Sequence, residues 1–126
     1  RPTMPITGLH TMFYSSEVDA FRAVMRDAFE LPYWDDGDGF IMFHCPPATM
    51  EPHPGPMEID VPAAGPPTHA VGFVCDDIDA TIEELRAKGV GFRGKKMDMG
   101  WGHAIVMVLP GGVEMVLEEA HTSDDA

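Results

Sequence analysis

A chain of 126 residues, 44% of them apolar, is long enough to bury a core and is not composed like a disordered segment. Its 21 acidic against 8 basic side chains give a formal charge of −13, which repels a phosphate backbone, so no nucleic-acid partner is expected. The longest apolar run, "AIVMVL" at 104–109, is far below the roughly 20 residues of a membrane span, so no membrane partner is expected either. No secretory pattern opens the chain, and the expected location is cytoplasmic. Cys45 and Cys75 belong to no CxxC pair, and both are expected as reduced thiols on strands.

In chain order, residues 5–14, "PITGLHTMFY", read as a strand that stops at a Ser pair suited to capping a helix. From Ser16, Val18, Phe21, Met25, Ala28 and Phe29 return at steps of three and four, predicting one apolar helix face that ends before Pro32. "WDDGDG" at 34–39 is a turn between two short strands, the second being "FIMFHC" at 40–45. Residues 46–67 carry most of the twelve prolines, with only "TMEPH" and "MEIDV" alternating enough for short strands.

The plan then repeats. "HAVGFVC" reads as a strand, Asp76 or Asp77 as a helix cap, and Ile78, Ile82 and Leu85 as the apolar face of a helix stopped by Gly89. "GHAIVMVL", "PGG" and "VEMVLEE" read as a hairpin. Phe13 matches Phe73, Val18 matches Ile78, Asp19 matches Asp79 and Ala20 matches Ala80, all 60 apart. One domain over 1–126 is expected, with a first module over about 5–55, a Pro-rich linker over about 46–67 and a second module over about 68–120.

Four pieces, "LHTMFYSSEVDAF", "CDDIDATIEELRAKGVGF", "MGWGHAIVMVLPGG" and "VEMVLEE", make the chain resemble the vicinal oxygen chelate superfamily, which includes glyoxalase I, bleomycin-resistance proteins and extradiol dioxygenases. The resemblance implies an α+β fold in which two βαβββ modules form a curved mixed sheet around a cleft, and a homodimer. It also implies metal donors on the first and last strands of each module. Those positions carry His10, Glu51 or His53, His69 or its neighbour, and Glu114. Such nitrogen and oxygen donors suit a divalent cation: Zn²⁺, Ni²⁺, Fe²⁺ or Mn²⁺.

Strand alternation makes the second histidine conditional. Eight residues before Val18 stands His10, but eight before Ile78 stands Ala70, so His69 reaches the cleft only if a bulge re-aims it. In a regular strand, Val71, Phe73 and Cys75 face the helix, and Ala70, Gly72 and Val74 face the cleft.

Two functions follow. One is a metal-dependent enzyme of lyase, isomerase or dioxygenase type acting on a small oxygen-rich substrate, with Glu114 doubling as the catalytic base. The other is a metal-free small-molecule binding or resistance protein of the bleomycin-resistance type. There the acidic chain attracts a cationic ligand, and Tyr14, Tyr33, Trp34, Phe40 and Trp101 line or stack on it. The basic residues Arg86, Lys88, Arg93, Lys95 and Lys96 read as a solvated helix end and loop.

Overall fold

A continuous apolar run, 104–109, and the alternating segment that follows it build the sheet in the last third of the chain. The computed structural model describes residues 9–50, 52 and 70–120. In its second half, β3 (Gly72–Val74), α2 (Ile78–Ala87), β4 (Gly91–Asp98), β5 (Gly102–Leu109) and β6 (Val113–Ala120) form a complete βαβββ unit. The strands lie in the order β3-β6-β5-β4. β3 runs parallel to β6 and the other neighbours are antiparallel, so the sheet is mixed, as expected. β5 spans the whole of "GHAIVMVL", and the Pro110–Gly112 turn joins it to β6 with Leu109 opposite Val113.

Helix α2 is fixed at both ends by chemistry legible in its sequence. The Asp77 carboxylate accepts the Ala80 N–H at 3.1 Å, which selects Asp77 over Asp76 as the cap. The Glu119 carboxylate on β6 accepts the Ile78 N–H at 2.6 Å, tying the first turn to the sheet. At the other end Gly89, at φ 90°, donates to the Arg86 carbonyl, and Val90 donates to that of Leu85. That pattern closes the last carbonyls and needs a residue tolerant of the left-handed region. Asp77→Ala is expected to cost about 1 kcal/mol, read as a lower urea midpoint at unchanged slope.

The first half departs from expectation in three places. Residues 9–14 join no sheet, because no strand among the described residues runs beside them; only Phe13 reaches the core, while Leu9, His10, Thr11, Met12 and Tyr14 are exposed. Residues 5–8 of that expected strand lie outside the described residues, as does most of the Pro-rich segment; 46–50 form no strand. Second, the helix begins at Val18 with Glu17 at its cap, and Ser15 acts from outside it, its Oγ accepting the Glu17 N–H at 3.0 Å. Third, the helix is α only over α1 (Val18–Ala23) and then widens into a π turn over Val24–Ala28. The Phe29 N–H donates to the Val24 carbonyl at 3.0 Å, five residues back.

The π turn keeps Phe21, Met25 and Ala28 on the buried side, while Val18 stands beyond the core and is exposed. It also inserts one residue: the left-handed position that ends this helix is Glu30, at φ 56°, rather than Phe29, the residue 60 before Gly89. Lys88 holds that end, its Nζ donating to Glu30 at 2.6 Å and to the Ala28 carbonyl at 3.3 Å. This contact holds the Glu30 carboxyl below the ordinary carboxylate range. Beyond it, β1 (Tyr33–Asp35) and β2 (Ile41–Phe43) pair as the expected hairpin, closed by Asp35 and Asp36 carboxylates that accept the Gly37 and Asp38 N–H groups.

One cluster joins the halves. Phe21, Met25 and Ala28 pack with Ile78, Ile82 and Leu85 of α2 and with Ile105, Met107, Leu109, Val113, Met115 and Leu117 of the sheet. Both helices therefore cover the same side of β5 and β6. Among the described residues no helix is long and apolar enough to cross a membrane.

Candidate functional site

Since odd-numbered residues of β5 and β6 face the helices, the even-numbered ones define the opposite face. It carries Ala104, Val106 and Val108 from β5 and Glu114, Val116 and Glu118 from β6. Val71, Phe73 and Cys75 pack on the core, so Ala70, Gly72 and Val74 lie on this second face, as a regular strand requires. β3 is regular where it is described: Gly72 stands opposite Val116 and Val74 opposite Glu118, the Val116 N–H donates to the Val71 carbonyl, and the Cys75 N–H donates to the Glu118 carbonyl.

A row of paired residues crosses the sheet from Gly72 through Val116 and Val106 to Arg93 of β4. Beside it, Glu114 pairs with Val108. Arg93 Nε donates to Glu114 Oε2 at 2.9 Å across the valines. The arginine side chain is 46% exposed and the carboxylate 23%. The second face is thus small and apolar at its centre, where Val106 and Val116 are buried, with one ion pair at its margin.

Arg93 is the functional candidate that sequence reading missed, having placed it in a solvated basic run. Phe92 packs on the core, and one step of alternation turns Arg93 to the other face. The signal was hidden because β4 slips register between Arg93 and Met97, around Gly94 at φ 72°. Lys96 of the same run ion-pairs with Asp79 on α2 at 2.9 Å, and the Arg86 guanidinium lies 5.2 Å from the Phe92 ring centre.

The other expected site residues are dispersed. His10 and Tyr14 are exposed on the unpaired segment before α1. Trp34 and Phe40 sit on the β1–β2 hairpin, the Phe40 ring 6.0 Å from the Arg22 guanidinium, and Trp101 is exposed in the turn before β5. Glu51, His53 and His69 lie outside the described residues. Among the described residues no three His, Cys, Asp or Glu side chains cluster as metal donors. Glu114 sits on the expected face, yet the guanidinium against its oxygen opposes a second cation there. Burial pushes the Cys75 thiol up, away from the thiolate a nucleophile needs.

A family profile described as "Glyoxalase/Bleomycin resistance protein/Dioxygenase superfamily" matches residues 9–117. The chain belongs to that superfamily. Solved structures share the fold. A superfamily member from Sphaerobacter thermophilus is 21% identical with a TM-score of 0.61, covering 92% of this chain and 99% of that one. Lactoylglutathione lyase from Agrobacterium tumefaciens is 18% identical with a TM-score of 0.59, covering 92% and 95%. TnmS3, an antibiotic binding protein from Streptomyces sp. CB03234, is 16% identical with a TM-score of 0.59, covering 94% and 99%. A search of curated proteins found no match.

Proposed function

We propose that this superfamily member is a small-molecule binding protein that takes its ligand on the sheet face away from the helices, without a metal. The observation that carries the reading is the Arg93–Glu114 pair beside the half-buried Val108, on a face whose other valines, Val106 and Val116, are buried. It sets one polar anchor against an apolar residue, the composition of a small-molecule site. Ala70 on this face of β3, where a histidine donor would have to stand, supports the metal-free form. The structural likeness to an antibiotic binding protein is consistent with it.

The metal-dependent enzyme is the second reading, favoured by Glu114 on this face of the last strand and by the likeness to a lactoylglutathione lyase. In it His10, Glu114, and His69 or His53 would hold the cation, which would supply Lewis acidity to paired substrate oxygens. In either reading the chain is a cytoplasmic homodimer, with exposed Leu9, Met12, Tyr14 and Met50 as apolar surface for a second copy.

Elemental analysis of protein purified without chelator separates the two. We expect less than one transition metal per ten chains in the wild type (about a tenth of a stoichiometric site) and a gain in Ala70→His. One metal per wild-type chain, lost in His10→Ala, His69→Ala and Glu114→Ala, would overturn the binding reading.

A further inference from the structure

We propose that Arg93 anchors the ligand by an anionic group, so that the protein selects small molecules carrying a carboxylate beside an apolar body. The proposal rests on the reading that the helix-free face binds the ligand. Among the described residues only Nε of the guanidinium is engaged, donating to Glu114 Oε2 at 2.9 Å, and neither terminal nitrogen has a partner. The two terminal N–H groups therefore keep the fork that matches a planar carboxylate in two parallel bonds. Glu114 fixes the orientation of that fork and, among the described residues, leaves its outer edge free.

Exposure decides between an anionic and a cationic ligand. Arg93 is 46% exposed and Glu114 23%, so an arriving ion meets the guanidinium first, and a cation would have to displace it to reach the carboxylate. The body of the ligand then lies toward Val108, the half-buried valine that pairs with Glu114, since Val106 and Val116 are already buried. The chain's charge of −13 repels an anion at long range, but the field of the distant carboxylates is screened beyond about 8 Å at physiological salt. The local positive group is then what admits it.

Phenylacetate, benzylamine and benzyl alcohol present the same apolar body with an anionic, a cationic and a neutral head. Titrated against isotope-labelled protein, phenylacetate is expected to shift the Val106, Val108 and Val116 amides. Arg93→Met should weaken it about 10- to 100-fold, the range of a charge-assisted bond, and leave benzyl alcohol unchanged. Glu114→Gln, which frees the guanidinium to swing, should weaken phenylacetate less than Arg93→Met does. Equal binding of all three probes, or binding unaffected by Arg93→Met, would refute the anchor and leave the binding face standing. Preference for benzylamine would refute it in favour of a carboxylate anchor, and no response from any probe would remove both the anchor and the proposed face.

Discussion

Gly111→Ala is expected to destabilise the protein by about 3 kcal/mol, although the residue lies in an exposed turn. Gly111 has φ 85°, and a Cβ there would run into Ser15 Oγ. Left-handed backbone costs a residue with a side chain roughly 1–2 kcal/mol. The clash adds to this, because Ser15 is not free to move: its hydroxyl donates to the Pro110 carbonyl at 2.7 Å and accepts from Glu17. The Gly111 N–H in turn donates to the Glu17 carboxylate at 3.1 Å. Each bond lost adds about 1 kcal/mol. Gly112, at φ 76° with open space around its Cβ position, supplies the control, since Gly112→Ala should show the backbone cost alone. Denaturant midpoints for both, and for Gly111→Ala combined with Ser15→Gly, give the test. A double mutant no more stable than the sum of the singles would show that the clash is not the cause.

Met107→Ala should have a comparable effect for a different reason. Met107 is fully buried at 0% exposure, on a central strand between Phe92 of β4 and Met115 of β6. Truncation removes buried apolar surface and leaves a cavity that β-sheet neighbours cannot close, at a cost of about 3 kcal/mol within the range of such changes. For a domain of this size the melting temperature should fall by roughly 10 °C. Met42→Ala, at a residue 45% exposed on the short hairpin, should change stability by no more than about 0.5 kcal/mol. Equal losses at both sites would mean that the core is not where the alternation of β5 and β6 places it.

The second half was readable because its patterns are long and bounded. Eight residues rich in strand formers in each of β5 and β6, a Pro-Gly-Gly turn, an Asp cap and a Gly stop all point the same way. The first half was less so. "LHTMFY" has the composition of a strand, but a strand exists only with a neighbour to bond, and composition cannot supply one. The widened turn in the first helix had no local marker: Val24 to Ala28 hold neither Gly nor Pro. At the site, alternation placed Glu114 on its face, yet it could not find the guanidinium bound to it. That pairing depends on how β4 aligns with β5 across an irregular turn, and register between strands is written in three dimensions.

A shift in the buried helix faces makes the two halves non-interchangeable. Helix starts correspond at a spacing of 60, Val18 with Ile78, but the buried faces correspond at 57: Phe21 with Ile78, Met25 with Ile82, Ala28 with Leu85. A chimera carrying residues 78–88 in place of 18–28 would set Ile78, Ile82 and Leu85 at positions 18, 22 and 25, of which only the last is buried. Shuffling between the copies thus meets a barrier of one helical turn. Each helix is committed to its own place on the shared core, and the correspondence between the halves is one of plan rather than of exchangeable parts.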